Sequence, residues 1–334
     1  MGLSAWLPAD LLGPAFHARA GHATSAKLMV CRRSGSKAIW ATGNAMRRVG
    51  EFEVRRVVES EGPLLKPEVF FPQSTPDIFA QHAHWLKPRH LEPASGLLVL
   101  CIQSYLVRTG RHTILVDACV GNDKDRAVHR PAWHRQNWPY LEDMCKAGVR
   151  PEEIDFVLCT HLHIDHVGWN TRLRNGRWVP TFPNAKYIFA RQEYAFWEER
   201  HRQDGGAGQG MAFADSVLPV MEARQAVLVD TDHEIAAGVW FEPAPGHTAG
   251  NVVVNLRSGS DHAVLTGDVI HHPIQLVRPD WSSRACEDPV QSHRTRRALL
   301  ERYADSATLF APAHFASPSI GHVVRAGEHF AYRD

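Results

Sequence analysis

Ten residues near the middle of the chain, Cys159–Gly168, constrain the fold more than any other stretch. They read Cys-Thr-His-Leu-His-Ile-Asp-His-Val-Gly, and four of their side chains can bind a metal: His161, His163, Asp165 and His166. The run before them, Ile154–Leu158, is largely apolar with a β-branched bias, which is typical of a buried strand. The chain is therefore expected to place a strand end and a loop of ligands together, where open α/β sheets collect their ligands.

The spacing within this cluster predicts two points of contact with metal. His161 and His163 are two residues apart, so an extended backbone directs both rings to one side. Asp165 and His166 follow where the chain must turn, and they can face a second point nearby. Imidazole suits zinc and other late transition metals, and a carboxylate adds charge and accepts harder ions. The alternative is a histidine-rich surface loop that binds nothing.

Three further ligand candidates argue against that alternative. His247 lies in Ala-Pro-Gly-His-Thr-Ala-Gly, Asp268 in Leu-Thr-Gly-Asp-Val and His314 in Ala-Pro-Ala-His-Phe. Asp268 follows the apolar run Ala263–Leu265. His314 follows Thr308–Phe310, so both ligands are predicted at strand ends. Seven candidates exceed what one catalytic zinc needs, since such a site uses three protein ligands and keeps one position open. Two metals are the economical interpretation.

The order of these residues, H-x-H-x-D-H and then His, Asp and His, resembles the metallo-β-lactamase superfamily. The resemblance runs from about Val49 to the end of the chain. It implies an α/β fold (α+β in some schemes), a four-layer αβ/βα sandwich of two mixed β-sheets with helices on the outer faces. Periodicity alone indicates only α/β or α+β. The resemblance also implies a binuclear metal site: one metal on His161, His163 and His247, a second on Asp165, His166 and His314, and Asp268 between them.

The resemblance implies two Zn²⁺ ions as cofactors, with iron, manganese or cobalt as alternatives. Two metals about 3.5–4 Å apart can share a hydroxide that attacks a carbonyl or phosphoryl group. Asp165 is the candidate for accepting or relaying the proton. Asp268 is the second catalytic candidate. No serine nucleophile is needed, and no G-x-S-x-G motif is present. The resemblance also places Asp117, after a predicted strand, where it orients a metal-binding histidine.

A third catalytic candidate is His271, three residues after Asp268. The acyl-homoserine-lactone lactonases of this superfamily carry a tyrosine at that position, which helps to bind the substrate carbonyl. His271 departs from that pattern, but it can donate a hydrogen bond to the oxyanion or to the leaving group. The alternative is a supporting or surface histidine. Trp169 is in turn interpreted either as an apolar wall of the pocket or as a core tryptophan.

The segment Gly121–Arg126, with His-Val-Gly-Trp-Asn after the motif, resembles the branch of YtnP-like lactonases and methyl-parathion-hydrolase-like enzymes. The expected function is therefore metal-dependent hydrolysis of a lactone or ester, as in a quorum-quenching lactonase. The alternatives are a phosphotriesterase or aryl esterase of the same fold and an iron-dependent redox enzyme. Thioester hydrolysis lacks a basic cluster to support it, and the complete ligand set argues against a module that only binds metal.

Charge and hydropathy limit the kinds of binding partner that we expect. A net charge of +1 over 334 residues offers no electrostatic case for nucleic acid or a membrane surface. No apolar run reaches the roughly 18 residues of a membrane helix, and the first residues lack the pattern of a secretion signal. The six cysteines form no C-x-x-C pair, which argues against a thiolate zinc site. Several of them lie in apolar runs typical of small core residues, so we expect a reducing compartment without disulfides. We expect a cytoplasmic enzyme that acts on a small-molecule lactone or ester.

Domain organisation is predicted from periodicity. Residues 1–45 lack it and are expected to form a loosely structured N-terminal extension before a hydrolase domain at 46–334. Within that domain we predict a first strand over Glu51–Glu59, a hairpin of Leu97–Arg108 with Thr113–Val116, and a helix over Pro289–Tyr303. Residues 63–93 are interpreted as a lid or an oligomer contact with one short helix, and a packed irregular segment is the alternative. A homodimer is accordingly one expected assembly.

Overall fold

The structure is a computed structural model that describes residues 46–128, 130–204 and 210–334. The predicted extension, residues 1–45, lies outside the described residues, so its loose structure stays a prediction. Among the helices that the structure describes, none is both long enough and apolar enough to cross a membrane.

The described strands form two large mixed sheets and two small hairpins. In chain order they are β1 (Arg47–Val49), β2 (Phe52–Leu65), β3 (Leu98–Arg108), β4 (Thr113–Val116), β5 (Phe156–Leu158), β6 (Thr171–Arg174), β7 (Arg177–Pro180), β8 (Lys186–Ala190), β9 (Ala226–Val229), β10 (Glu234–Ala236), β11 (Val239–Pro243), β12 (Val252–Ser258), β13 (Asp261–Gly267), β14 (Leu309–Pro312), β15 (His322–Ala326) and β16 (His329–Arg333). The first sheet has the order β1-β2-β3-β4-β5-β8-β9 and the second β10-β11-β12-β13-β14. Pairing is antiparallel from β1 to β4 and parallel from β4 to β9, and only the β13–β14 pair of the second sheet is parallel.

The α-helices are mostly short. They are α1 (Pro67–Phe70), α2 (Pro76–Gln81), α3 (Ala83–Leu86), α4 (Tyr140–Lys146), α5 (Arg191–Asp204), α6 (Gly210–Ala212), α7 (Leu218–Glu222), α8 (Ile274–Val277) and α9 (Pro289–Tyr303). Helix α9 has the bounds that the sequence predicts. It begins after Asp288, whose side chain accepts the backbone N–H of Gln291 at 2.9 Å, with Pro289 at the first helical position.

Alternating side chains along the strands divide the core into three layers of apolar contacts. Ile114 and Val116 of β4 pack between the two sheets, while Leu115 packs on the opposite face. On β12, Val254 faces the space between the sheets and Val253 faces away. Because successive side chains of a strand point to opposite faces, both faces of each sheet are buried and both need a cover.

Helices supply that cover. The outer face of the first sheet packs against residues of α4, α5 and α7, among them Tyr140, Trp197 and Val220. The outer face of the second sheet packs against α9 through Leu299 and Leu300. The layers are therefore helix, sheet, sheet and helix, and the predicted αβ/βα sandwich is confirmed.

Some local predictions need correction. The first long strand extends to Leu65 rather than ending at Glu59, because its pairing with β3 continues through two register shifts. The single helix predicted within residues 63–93 is three short helices. The strand before His314 ends at Pro312, and the hairpin β15–β16 follows it. A π-helical turn at Phe213–Val217 joins α6 to α7.

Both sheets bring strand ends to one place. Strands β4 and β5 run parallel, so the residues after them, Asp117 and Cys159–Gly168, lie at the same edge. Strands β13 and β14 also run parallel and end before Asp268 and His314. The two edges touch: a Cβ atom on Gly267, whose φ is +49°, would lie 2.6 Å from the Thr160 hydroxyl oxygen. Glycine is therefore required where the ligand loops meet.

Candidate metal centre

The seven side chains that the sequence predicts as ligands converge in two groups. Within each group, one ligand atom per residue lies within 4.8 Å of the others. The first group is His161, His163, His247 and Asp268, and the second is Asp165, His166 and His314. All are buried except Asp165, which is partly exposed. The convergence brings together residues separated by more than 150 positions of sequence, but their role as ligands stays a prediction.

Asp268 lies between the two groups. Its Oδ2 atom is 3.1 Å from Nε2 of His247 and 3.7 Å from Nε2 of His161. Its Oδ1 atom is 2.9 Å from Nε2 of His314 and 3.1 Å from Nε2 of His166. Each carboxylate oxygen therefore faces the imidazoles of a different group, which is the arrangement that a bridging carboxylate requires.

Several polar atoms of this centre have no hydrogen-bond partner among the described residues. Nε2 of His161, Nε2 of His166 and Oδ1 of Asp268 are buried in this way. A buried polar atom without a partner costs about 1–3 kcal/mol, so a set of such atoms around one carboxylate needs a further group to satisfy it. Imidazole nitrogens and carboxylate oxygens are the donors that zinc takes. The residues present therefore fit a metal pair.

The electrostatics of three residues in the first group, His161, His163 and Asp268, favour the protonation states that bind metal. Burial lowers the pKa of His161 and of His163 well below the usual range, and neighbouring imidazoles lower it further, so both rings are neutral. Burial alone would raise the pKa of Asp268, but the imidazoles around it hold that pKa well below its usual range. The carboxylate is therefore ionised, as a bridging ligand must be.

Three rings of the centre have the opposite tendency, since the pKa values of His166, His247 and His314 are all raised, chiefly by Asp268. Burial lowers the pKa of His247, but Asp268 outweighs burial and raises it to about 10. The pKa of His166 is likewise raised well above its usual range, because the carboxylates of Asp268, Asp117 and Asp165 outweigh burial. Since a metal binds only through a ring nitrogen that carries no proton, metal binding would displace a proton from each of these three histidines.

Groups behind the rings orient them. Asp117 adopts a left-handed backbone conformation with a φ of +58° and accepts hydrogen bonds from Nδ1 of His166 and the backbone N–H of Thr160, both at 2.8 Å. Nδ1 of His314 lies 2.8 Å from the backbone carbonyl oxygen of Cys101. A partner on Nδ1 leaves Nε2 free for a metal. The predicted contact of Asp117 with a histidine is confirmed, and the role of that histidine as a metal ligand stays a prediction.

A buried glutamate on α5 joins two ligand loops. Glu193 accepts hydrogen bonds from the backbone N–H groups of Leu162 at 3.0 Å and Gly250 at 2.9 Å. It also accepts from the Thr248 hydroxyl and the Trp197 indole, both at 2.7 Å. Sequence reasoning missed Glu193 because its helix is largely polar. The signal available was its spacing of four residues from Trp197, which places both on one helix face.

A second buried glutamate supports the other side of the centre. Glu59 on β2 accepts hydrogen bonds from the backbone N–H groups of Val120 at 2.9 Å and Gly121 at 3.0 Å, and from the Trp169 indole at 2.6 Å. Trp169 is buried and stacks on Tyr140 with ring centroids 5.2 Å apart. The structure therefore favours the core interpretation of Trp169 over a pocket wall.

His271 lies at the centre itself. Its Nε2 atom is 3.2 Å from Oδ2 of Asp268, and its ring stacks on that of His314 with centroids 5.8 Å apart. Its other nitrogen, Nδ1, is buried without a hydrogen-bond partner among the described residues. The Phe70 ring packs edge-on against the His271 ring, with ring centroids 5.3 Å apart. The surface alternative for His271 is therefore wrong. Burial lowers its pKa to about 4, despite the raising effect of Asp268, so the ring is neutral and carries one N–H.

Comparison with known proteins identifies the family. Residues 102–314, which include all seven predicted ligands, match the model of the metallo-β-lactamase superfamily. The chain belongs to that superfamily. The narrower resemblance to the YtnP-like and methyl-parathion-hydrolase-like branch is not confirmed and stays a prediction.

Curated members of the superfamily with similar sequences are lactonases. The chain is 25% identical over 183 residues to an N-acyl homoserine lactonase of Bacillus cereus, a match that covers 51% of this chain and 64% of that protein. It is 29% identical over 182 residues to the N-acyl homoserine lactonase AttM of Rhizobium johnstonii, covering 49% and 63%. The chain thus spans less than two-thirds of the length of these relatives.

Two solved structures share the fold over most of the chain. AbOPH, a hydrolase of the β-lactamase superfamily, superposes with a TM-score of 0.72 at 23% identity and covers 88% of this chain and 97% of its own. AidC, a dizinc quorum-quenching lactonase solved with a product, has a TM-score of 0.69 at 21% identity and covers 87% and 97%. At these identities the likeness establishes the fold.

Proposed function

We propose that this protein is a dinuclear metal-dependent hydrolase that opens lactones or cleaves related esters. The observation that carries the proposal is the position of Asp268, whose two oxygens face different groups of imidazoles. A single ion needs only one such group. The similarity to N-acyl homoserine lactonases of two organisms supports a lactone as the substrate class.

The proposed ligand sets follow the two groups. His161, His163 and His247 would hold one zinc and Asp165, His166 and His314 the other, with Asp268 shared between them. When bound, such a pair supplies Lewis acidity toward a carbonyl oxygen and a nucleophile derived from water at neutral pH. Zinc is proposed because every ligand is an imidazole or a carboxylate. Iron, manganese and cobalt are alternatives, because they accept the same donors.

The remaining chemistry falls to residues of this chain. Asp165 is the most exposed of the seven, with 14% of its side chain accessible, and its oxygens lie 3.9 Å from Nε2 of His166 and 3.7 Å from Nε2 of His314. A carboxylate in contact with both the centre and solvent can accept a proton from the attacking water and pass it outward. We therefore assign Asp165 the proton-carrying role.

His271 is assigned to the substrate side. Because its ring is neutral, it has one N–H to donate, and it lies beside both Asp268 and His314. A donor placed where negative charge develops stabilises the transition state. We propose that His271 donates to the oxyanion or to the leaving oxygen, which is the place of the tyrosine in the homoserine-lactone lactonases.

Metal quantification paired with a substrate panel tests the proposal. We expect about two zinc equivalents per chain and hydrolysis of acyl-homoserine lactones or of simple lactones and aryl esters. Asp268→Ala should abolish turnover and deplete the metal, because both groups lose their shared carboxylate. Near-normal turnover in this variant, or iron content with oxygen consumption in the wild type, contradicts the proposal.

One observation favours a second candidate. His271 replaces the tyrosine of the lactonases, so a phosphotriester is an alternative substrate of the same centre. Including an organophosphate triester in the panel separates the two candidates. A ratio of kcat/KM that favours the triester over every lactone assigns the protein to phosphotriester hydrolysis.

A further inference from the structure

The segment between α8 and α9 lies against the loop that carries His247. The backbone N–H of Glu287 donates to the carbonyl oxygen of His247, and that of Asp288 donates to the carbonyl oxygen of Gly246, both at 2.9 Å. At the other end of the segment, the backbone N–H of Arg284 donates to the carbonyl oxygen of Phe70 at 2.8 Å. These backbone bonds hold the side chains between Arg284 and Asp288 in a fixed position beside the centre.

Cys286 occupies that position. Its Sγ atom lies 3.5 Å from Nδ1 of His247, 3.3 Å from the Ser292 hydroxyl and 3.4 Å from the Ser283 hydroxyl. The Ser283 hydroxyl is in turn 3.3 Å from Nε2 of His271. The thiol is therefore within hydrogen-bond distance of a proposed metal ligand and is linked through one serine to a proposed catalytic histidine.

Other rings of the centre show what such a contact does. Nδ1 of His166 donates to the Asp117 carboxylate, and Nδ1 of His314 lies beside a backbone carbonyl. Nδ1 of His161 lies 3.1 Å from the Thr160 hydroxyl. Each of these rings has an oxygen behind it. For His247, the atom in the same place is a sulfur.

We propose that Cys286 is a positioning residue for His247, an inference that rests on the proposed metal centre. The sulfur accepts the Nδ1 hydrogen of His247, and the thiol hydrogen is donated to the hydroxyl of Ser292. Nε2 of His247 lies 3.1 Å from Oδ2 of Asp268 and 2.9 Å from Nδ1 of His163. When the ring gives up one proton to bind metal, the contact with sulfur would keep the remaining hydrogen on Nδ1 and leave the lone pair of Nε2 for the metal. Without an acceptor on Nδ1, the ring can exchange tautomers or rotate away from the metal.

Metal affinity tests this role independently of turnover. The variants are Cys286→Ala, which removes the acceptor, and Cys286→Ser, which keeps one. Cys145→Ala is the matched control, because Cys145 is the other partly exposed cysteine among the described residues and lies on α4. Zinc affinity is measured by competition with a chromophoric chelator, and circular dichroism of each variant checks that it is folded.

We expect Cys286→Ala to weaken zinc binding about 10–100-fold, which is the usual effect of losing a partner behind a ligand. Cys286→Ser should recover most of that affinity, and Cys145→Ala should match the wild type. Ser292→Ala provides a second test that leaves the cysteine in place: it removes the acceptor of the thiol hydrogen and should weaken zinc binding by a smaller factor. This variant decides the question if Cys286→Ala does not fold.

Two results overturn the inference. In the first, folded Cys286→Ala and Ser292→Ala both bind zinc as tightly as the wild type. In the second, Cys286→Ser loses as much affinity as Cys286→Ala, which shows that the size of the sulfur matters rather than its hydrogen bond. In either case a wild type that binds two zinc ions leaves the proposed function standing. A wild type that binds no zinc overturns both proposals.

Discussion

Replacing Glu193 with glutamine should loosen the centre without touching a ligand. The carboxylate accepts four hydrogen bonds, two on each oxygen: Oε1 from Leu162 and Trp197, and Oε2 from Thr248 and Gly250. Glutamine has nearly the same shape but one oxygen only. With that oxygen placed toward Leu162 and Trp197, the amide NH₂ faces the other two donors.

The magnitude follows from counting donors. The Thr248 hydroxyl can rotate and accept a hydrogen bond from the new NH₂ group, but the backbone N–H of Gly250 cannot. One buried donor is left without an acceptor, which costs about 1–3 kcal/mol. We expect the free energy of unfolding of Glu193→Gln to fall by that amount. Glu193→Ala removes all four acceptor contacts and should destabilise the domain several-fold more.

The assay is denaturant unfolding at pH 8, with zinc retention measured in parallel. Burial raises the pKa of Glu193 while its four donors lower it, so an alkaline pH ensures that the wild-type carboxylate is ionised. Glu198→Gln is the control, because Glu198 is exposed on the same helix and accepts only from the Tyr194 hydroxyl among the bonds described. If Glu193→Gln and Glu198→Gln unfold at the same denaturant concentration, the inference that Glu193 holds the two loops together is wrong.

Two further predictions concern the centre and its support. His271→Ala should lower kcat about 10²–10³-fold, the usual effect of losing an oxyanion donor, with zinc content unchanged, whereas His271→Tyr should recover part of kcat on lactones. Loss of zinc from His271→Ala would instead make His271 a ligand. Burial raises the pKa of Glu59 from 4.5 to about 7, so between these values the folded protein holds a proton that the unfolded chain has released. The free energy of unfolding should therefore fall as pH rises through this window. We expect Glu59→Gln to flatten that dependence. The measurement is urea unfolding of the variant and the wild type at pH 5 and pH 7.5, with a chelator present.

The convergence of the seven proposed ligands can be predicted from the sequence because its signal is local. Spacings such as that of His161 to His163, and strand ends such as those before Asp268 and His314, can be recognised from residue type and periodicity alone. The same holds for the hairpin of β3 with β4 and for helix α9, whose cap residue Asp288 and first-turn proline are explicit in the sequence. The four-layer arrangement needed the family resemblance, because alternation along a strand shows that both faces are buried but not what covers them.

What could not be predicted depends on contacts between distant segments. Glu59 and Glu193 are carboxylates within an ordinary strand and an ordinary helix, and only the tertiary structure gives them buried backbone N–H donors. The contact of Cys286 with His247 is of the same kind, since the two residues are 39 positions apart. The strand β2 was predicted too short because Pro63 interrupts its pattern, whereas pairing with β3 continues past it.

The close approach of Gly267 to Thr160 has a mechanical consequence. One edge of the centre belongs to the first sheet and the other to the second, so each bound ion would fasten the two halves of the sandwich together at one end. Stripping the ions should let those ends separate while the apolar layer between the sheets still holds them elsewhere. Backbone amides near residues 160 and 267 should then exchange their hydrogens with solvent well before the amides of β4 and β12 do.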